Sequence, residues 1–202
     1  MIISDGERQA PINIEETEPS HLARYKFALN YISPKDIVLD VPCGSGYGTA
    51  LLAAHSSKAY GIDIHEGAIE HAHEFFKLNN SSFYVANIEY LLKLFPESGI
   101  FNKIVSFEGI EHLRHPNLFL EEAQRLLTND GNLIISTPRK PHGSPYHIIE
   151  YSLEEFTELL SNYFTVNKVF GQLYTDIFDL SKKPVNPPKN TKFNFIAHCS
   201  KK

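Results

Sequence analysis

The sequence predicts an α/β fold, with a doubly wound, mostly parallel sheet of seven strands and helices on both faces. Short apolar segments alternate with segments of helical periodicity, the order in which parallel sheets are built. The apolar run Val38–Val41 leads directly into the glycine-rich turn Gly44–Gly48 and then into a helix. Glycine tolerates positive φ and has no Cβ, so such a turn lets a ligand lie against the backbone at the first strand.

The N-terminal half is predicted to supply three strands and their helices. Residues 1–19 contain prolines and several acids and are predicted to be an irregular arm. Ser20 is a suitable N-cap for a helix that runs to about Tyr31, where apolar residues recur at helical spacing. A second helix follows the glycine turn, and a third covers about Glu66–Leu78. Apolar runs between these helices predict strands at Ile37–Val41, Ala59–Ile64 and Phe83–Ala86.

The C-terminal half continues the alternation. A helix over Leu118–Leu127 is predicted to stop before the turn signal Asn129–Gly131. Ser152 begins another helix, because Glu155 completes a capping-box pattern with it. The remaining predicted strands are Lys103–Phe107, Leu133–Ser136, Val166–Phe170 and Phe193–His198. The chain contains no internal repeat, so residues 1–202 are predicted to form a single domain.

The composition is typical of a globular domain in a reducing compartment. The 202 residues are 42% hydrophobic, which suffices for one substantial core. No segment is long and apolar enough to cross a bilayer, and the first residues lack the pattern of a signal peptide. The two cysteines, Cys43 and Cys199, are too far apart in sequence to indicate a disulfide framework, so we expect a cytoplasmic protein. The net charge of −5, with scattered cations, disfavours nucleic acid as a partner.

The glycine spacing distinguishes between two kinds of nucleotide site. Dinucleotide-binding turns have the pattern G-x-G-x-x-G and place a pyrophosphate on the next helix. Here the third glycine of Gly44-x-Gly46-x-Gly48 comes one residue earlier, and Asp40 precedes the turn. An acid that points into the site repels phosphate and suits a ligand with a cationic amino group. Asp63, at the end of the second predicted strand, is placed to accept hydrogen bonds from both hydroxyls of a ribose.

These motifs resemble those of class I S-adenosylmethionine-dependent methyltransferases, and the resemblance extends over most of the chain. Asp40–Gly46 resembles the first motif, Asp63 the ribose-binding acid, and Phe83–Glu89 the segment beside the adenine, with Asn87 where Asp is usual. The resemblance implies a Rossmann-like fold that ends in an antiparallel hairpin, and S-adenosyl-L-methionine as the cofactor, with S-adenosyl-L-homocysteine as its product. The cofactor-binding residues that it implies in the sheet region are Asp40, Cys43, Gly44, Gly46, Asp63, Ile64, Asn87, Ile88 and Glu108.

The catalytic groups are expected at the carboxyl ends of the fourth and fifth strands. The fourth strand runs into Glu108-Gly109-Ile110-Glu111-His112, and the fifth into a long loop that ends at His147. In one interpretation, His112 or His147 removes a proton from an acceptor hydroxyl and Glu111 orients it. In a second, a divalent metal is bound by Glu108, Glu111, His112 and His147. In a third, the acids contact the cofactor and cap a helix, while the histidines form only structural hydrogen bonds.

The metal interpretation resembles metal-dependent 2′-O-methyltransferases of RNA 3′ ends and quinone-biosynthesis O-methyltransferases. Gly6-Glu7-Arg8 and His21–Ala28, in contrast, resemble the N-terminal signature of small bacterial methyltransferases of surface-glycan and sugar pathways. That likeness implies that residues 1–32 cover the cofactor site, that Arg24 pairs with the cofactor carboxylate and that Tyr25 lines the methyl-transfer channel. The alternative for Arg24 is a surface position on an amphipathic helix.

The leading functional prediction is therefore a methyltransferase that methylates an oxygen of a small polar molecule or glycan without a metal. The alternatives are a metal-dependent enzyme for RNA ends and a protein that binds S-adenosylmethionine without catalysis. The sequence does not specify the acceptor or an oligomeric state.

Overall fold

The computed structural model describes residues 9–182, 187–188 and 191–202. Its helices are α1 (Pro19–Ala28), α2 (Tyr47–Ala53), α3 (Glu66–Phe75), α4 (Pro116–Leu126) and α5 (Leu153–Ser161). Its strands are β1 (Ile37–Asp40), β2 (Lys58–Asp63), β3 (Ser81–Val85), β4 (Phe101–Ser106), β5 (Leu127–Pro138), β6 (Phe164–Leu173), β7 (Asp176–Asp179) and β8 (Asn194–Lys201). Short 3₁₀ segments occur at Ile14–Glu16, Leu29–Tyr31, Ile88–Lys93 and Ile110–His112. The helices in the described ranges are too short or too polar to cross a lipid bilayer.

The strands form one sheet in the order β3-β2-β1-β4-β5-β8-β6-β7. Neighbours from β3 to β5 are parallel, whereas β8 runs antiparallel to both β5 and β6. The predicted mostly parallel α/β sheet with a C-terminal antiparallel hairpin is therefore confirmed. The prediction of seven strands is wrong by one, because the edge strand β7 pairs with β6.

Alternate residues of the central strands are buried on opposite faces of the sheet. Val38 contributes to a core that includes Ala28 of α1, Leu52 of α2 and other residues of the first three helices. Its neighbour Leu39 lies in the other core, with residues of α4 and α5 such as Phe119 and Phe156. Successive strand side chains point to opposite faces, so the predicted cover of helices on both faces is confirmed. The carboxyl ends of the parallel strands remain open between these two layers.

Two element boundaries differ from the prediction for local reasons. Helix α1 is capped by Glu18, whose carboxylate accepts from the backbone N–H groups of Ser20 and His21, so Ser20 is inside the helix. Strand β5 begins at Leu127, and the residues of the predicted turn at 129–131 form a register shift within it. The capping box of Ser152 and Glu155 is confirmed at the start of α5.

Candidate functional site

A cavity of about 520 Å³ opens at the carboxyl ends of the parallel strands. It is bounded by α1, by the turn after β1, by the segments after β2, β3 and β4, and by the loop after β5. Many of the residues predicted as functional line it, namely Arg24, Tyr25, Cys43, Gly44, Asp63, Ile64, Asn87, Ile88, Glu108 and His112. Four predicted site residues, Asp40, Gly46, Glu111 and His147, do not line it. Gly6-Glu7-Arg8 lies outside the described residues.

The turn after β1 provides an open backbone surface toward the cavity. Gly44 has a φ of +54°, and a Cβ built there would meet no described atom within 4 Å. Gly46 has a different reason to be glycine, because a Cβ there would lie 2.5 Å from the Cβ of Ala72 on α3. Gly44 therefore leaves room for a ligand, whereas Gly46 permits close packing of the turn against α3.

Asp63 lies at the end of β2 with its carboxylate held in place by the backbone. Its Oδ2 accepts from the Gly44 N–H at 3.0 Å, and its Oδ1 accepts from the His65 N–H at 2.9 Å. The residue is only 2% exposed, yet it lines the cavity. Each carboxylate oxygen can accept more than one hydrogen bond, so this fixed carboxylate suits the two hydroxyls of a ribose.

Ile64 and Ile88 form an apolar surface beside Asp63. Ile64 is 61% exposed, which leaves one face of its side chain available to a planar ring. Asn87 lies next to them, and its amide oxygen accepts from the Glu89 N–H at 2.9 Å. A carbonyl oxygen has a second lone pair, so Asn87 remains suited to accept from an adenine amino group.

Asp40 lies behind the cavity wall, contrary to the expectation that it points into the site. It is fully buried, and the hydroxyls of Tyr25 and Thr49 donate to its two oxygens at 3.1 and 2.6 Å. Burial raises the pKa of the Asp40 carboxyl to about 7, against the opposing effect of these two hydrogen bonds. Asp40 therefore acts on the cavity through Tyr25, whose ring forms part of the wall.

The raised pKa of Asp40 predicts a pH-dependent stability. The folded protein holds this proton more tightly than the unfolded chain does, so the free energy of unfolding should fall as the pH rises from about 4 to about 7. Asn cannot titrate. Between pH 5 and pH 8 the free energy of unfolding of the native protein should therefore fall by about 2 kcal/mol relative to that of Asp40→Asn. Urea unfolding at both pH values measures this, with Asp36→Asn on an exposed loop as the control. Parallel curves for the native protein and Asp40→Asn would contradict the prediction.

Gly48 is required by the position of Tyr25. A Cβ at Gly48 would lie 2.0 Å from Cζ of the Tyr25 ring. We expect Gly48→Ala to displace this ring, to break its hydrogen bond to Asp40 and to destabilise the protein by about 1–3 kcal/mol. In a Tyr25→Ala background the same substitution should cost much less. Denaturant unfolding of the four proteins checks this, and an equal cost in both backgrounds would refute the steric explanation.

Two opposite charges face the cavity from different elements. Arg24 on α1 is only 2% exposed and donates from Nη1 to the amide oxygen of Gln172 at 2.9 Å. Its Nε is buried and has no hydrogen-bond partner among the described residues. Glu108 accepts from Ser136 Oγ at 2.7 Å and from Asn194 Nδ2 at 3.0 Å. A buried guanidinium with an unused donor and an anchored carboxylate match an α-carboxylate and an α-ammonium, so the residues fit the amino-acid end of S-adenosylmethionine.

His112 lies in the cavity wall with a defined tautomer. Its Nδ1 is 3.1 Å from the carbonyl oxygen of Tyr146. A carbonyl only accepts, so Nδ1 carries the proton and Nε2 carries the lone pair. His147 stands behind it, with ring centroids 5.1 Å apart, and its Nδ1 is 3.6 Å from a carboxylate oxygen of Glu150. Glu150, which the sequence analysis did not assign, is therefore an acid close to His147.

Glu111 is buried on the side of the loop that follows β5. Its Oε2 accepts from Thr137 Oγ1 at 3.2 Å, and its backbone carbonyl accepts from the N–H groups of Ile148 and Ile149. Burial, followed by the neighbouring Glu108, raises the pKa of Glu111 well above its usual value. Ligand atoms of Glu111, His112 and His147 lie within 4.8 Å of one another. Glu108 is not part of this group, so three of the four residues considered as possible metal ligands lie together.

Several residues that line the cavity were not predicted as functional. His21 on α1 is one of them, and burial followed by the nearby Arg24 lowers its pKa to about 4, which keeps the imidazole neutral. Its position one turn before Arg24 on the same helix is the signal that would have indicated it. The others include Gln9, Tyr47, Glu89, Arg114, Tyr146 and Ile148. Gln9, Tyr47 and Glu89 lie in segments that the sequence analysis assigned to the site, so their place in those segments is the signal that would have indicated them.

The sheet order defines an α/β protein with a cavity at the carboxyl ends of its parallel strands. The family model described as "Methyltransferase domain" matches residues 32–193. The chain belongs to this family. The expectation of a methyltransferase with S-adenosylmethionine as cofactor is thereby confirmed at the level of the family, whereas the resemblance to sugar-pathway enzymes stays a prediction.

Individual relatives agree with this assignment. The chain is 30% identical over 131 residues to a probable S-adenosylmethionine-dependent methyltransferase of Mycobacterium tuberculosis, covering 61% of this chain and 46% of that protein. It is 31% identical over 126 residues to a ubiquinone biosynthesis O-methyltransferase of Coxiella burnetii, covering 59% and 53%. The chain thus spans about half the length of these relatives. The structure also resembles that of the N-methyltransferase NodS of Bradyrhizobium japonicum in complex with S-adenosyl-L-homocysteine. The TM-score is 0.71 at 16% sequence identity, and the match covers 92% of this chain and 89% of NodS.

Proposed function

We propose that this protein transfers a methyl group from S-adenosylmethionine to a hydroxyl oxygen of a small polar or sugar-containing acceptor, with His112 as the general base. The observation that carries the proposal is the position of His112, which lines the same cavity as Asp63 and Arg24 with its Nδ1 proton held by Tyr146. Transfer to oxygen is supported by the O-methyltransferase among the relatives.

The cofactor-binding roles follow from the contacts of the cavity residues. S-adenosylmethionine, when bound, supplies a methyl group that is electrophilic because it is attached to a sulfonium. Asp63 binds the ribose hydroxyls. The adenine is held by Asn87 together with Ile64 and Ile88. Arg24 and Glu108 bind the carboxylate and the ammonium of the amino-acid end. The glycine at position 44 leaves the backbone close to the ligand.

His112 acts on the acceptor. A neutral imidazole accepts a proton from a hydroxyl at the nitrogen that carries its lone pair. The Tyr146 carbonyl keeps that lone pair on Nε2 by holding the other ring proton. His147 packs edge-on against the His112 ring and restricts its orientation. The chain therefore has to place the acceptor oxygen in line with the methyl group and to remove one proton.

The mouth of the cavity is consistent with a polar acceptor that has an apolar face. Tyr146 is 52% exposed and Ile148 is 55% exposed, and both line the cavity beside Arg114. Sugar rings present C–H groups on one face and hydroxyls at the edge, so an exposed aromatic ring beside a cation suits them. The net charge of −5 disfavours an RNA backbone.

A metal-dependent mechanism is the second candidate, because Glu111, His112 and His147 have ligand atoms within 4.8 Å of one another. Imidazoles and a carboxylate bind many divalent ions. The base mechanism is favoured by the position of the three residues, because His112 lines the cavity whereas Glu111 and His147 do not.

The two mechanisms predict opposite responses to chelators. With His112 as a base, turnover should be unchanged by EDTA. With a bound metal, EDTA should abolish turnover, and Mg²⁺ or Mn²⁺ should restore it. The assay is transfer of a radiolabelled methyl group from S-adenosylmethionine in a screen of nucleotide sugars, glycans and short RNA, each with and without EDTA. Absence of transfer to every acceptor, combined with tight cofactor binding, would favour the non-catalytic binding protein.

A further inference from the structure

Gln172 makes an unusually complete set of buried hydrogen bonds near the end of β6. The residue is 2% exposed, and its amide oxygen accepts from Nη1 of Arg24. Its amide nitrogen donates to the backbone carbonyls of Ser20 at 2.7 Å and of Tyr174 at 2.6 Å. Both hydrogens of the amide are therefore used by carbonyls, which fixes the oxygen toward the guanidinium.

Asn194 is the register partner of Gln172 on the neighbouring strand β8. Its amide nitrogen donates to Oε2 of Glu108 at 3.0 Å. Two adjacent strands thus carry two neutral amides at neighbouring positions. The amide of Gln172 holds the Arg24 guanidinium, and the amide of Asn194 holds the Glu108 carboxylate. Gln172 and Asn194 lie far along the chain from the glycine turn, yet they contact Arg24 and Glu108, the two charged residues proposed to bind the amino-acid end of the cofactor.

We propose that Gln172 and Asn194 are positioning residues that hold Arg24 and Glu108 for the zwitterionic amino-acid end of the cofactor. A neutral amide uses one donor of the guanidinium without neutralising its charge, and the Nε donor has no partner within the described residues. A glutamate at position 172 would instead form an ion pair with Arg24 and compete with the ligand carboxylate. The amide of Asn194 likewise leaves the negative charge of Glu108 intact.

The same contacts connect α1 to the hairpin of β6 and β7. Gln172 binds a backbone carbonyl near the start of α1 and a side chain further along that helix. The helix that carries Arg24 is therefore placed by the C-terminal hairpin rather than by the glycine turn alone. This inference rests on the proposed role of Arg24 and Glu108 in binding S-adenosylmethionine.

The test compares S-adenosylhomocysteine with 5′-methylthioadenosine, which has the same nucleoside and thioether but lacks the amino-acid group. Calorimetry should show that Gln172→Met weakens the binding of S-adenosylhomocysteine about tenfold, because a charge-assisted contact becomes misaligned. Gln172→Glu should weaken it at least as much, and Asn194→Leu should also weaken it. Binding of methylthioadenosine should change less than about twofold, since every group that it contacts is retained.

Gln124→Met is the matched control, because Gln124 also donates its amide to a backbone carbonyl, that of Tyr163, but lies on α4 away from the cavity. It should leave both affinities unchanged. Equal weakening of both ligands by the Gln172 and Asn194 variants would show a merely structural role and overturn the proposal, as would unchanged S-adenosylhomocysteine binding. If Gln172→Met does not fold, Gln172→Glu and Asn194→Leu carry the same comparison. Failure of the native protein to bind either ligand would instead overturn the proposed function.

Discussion

Replacement of His112 by alanine is expected to slow methyl transfer by roughly 10²–10⁴-fold, the usual contribution of a general base. The affinity for S-adenosylhomocysteine should stay nearly unchanged, because His112 is proposed to act on the acceptor rather than on the cofactor. The measurement is kcat and kcat/KM of the variant with an acceptor from the screen, together with calorimetry of the cofactor product.

His55→Ala is the matched control for this prediction. His55 also has its Nδ1 next to a backbone carbonyl, that of Leu51 at 2.9 Å, but it is exposed and remote from the cavity. Its replacement should leave turnover unchanged. A turnover of His112→Ala equal to that of the native protein would exclude both the base and the metal mechanism.

The neighbouring His147 separates the remaining alternatives. His147 does not line the cavity. If it only orients His112, then His147→Ala should slow turnover by a smaller factor than His112→Ala does. As a metal ligand it should be as important as His112, and activity should depend on added Mg²⁺ or Mn²⁺. Kinetics of both alanine variants, with and without the ions, decide between these two roles.

The fold was largely predictable because its signals are local. Apolar runs such as Ile37–Asp40 are buried on both faces of the sheet and therefore stand out in the sequence. Strand β7 was missed because Asp176 and Asp179 at its ends make a short, polar edge strand with little hydrophobic pattern. The Asn129–Gly131 segment carries the residues of a turn, yet it is accommodated as a register shift within a long strand.

The cofactor side of the site was more predictable than the catalytic side. Asp63 and Gly44 follow strands whose ends must meet at one edge of the sheet, so their proximity follows from topology. The burial of Asp40 depends on the Tyr25 hydroxyl, a contact across the sheet edge that no local pattern encodes. The contact between Arg24 and Gln172 spans most of the chain. Glu108 has a φ of +50°, which its sequence does not indicate, and it lies outside the group of ligand atoms that Glu111, His112 and His147 form.

Replacement of Asp63 by asparagine is expected to cost about 2–3 kcal/mol of cofactor binding, or roughly 30–150-fold in affinity. The amide has the shape of the carboxylate but only one oxygen, so it cannot both accept from the Gly44 and His65 N–H groups and bind two ribose hydroxyls. The glycine turn should therefore lose part of its support in addition to the contacts with the ribose.

The two nucleoside ligands make this expectation specific to the ribose. S-adenosylhomocysteine and methylthioadenosine share the ribose, so Asp63→Asn should weaken both by a similar factor, unlike the substitutions at Gln172. Asp36→Asn is the control, because the Asp36 carboxylate also accepts from a backbone N–H, that of Ser33 at 2.8 Å, on an exposed loop. If calorimetry finds that Asp63→Asn binds both ligands with native affinity, the ribose does not bind at the end of β2. Selective weakening of S-adenosylhomocysteine alone would place the amino-acid end of the cofactor there, and the orientation of the ligand in the cavity would have to be reversed.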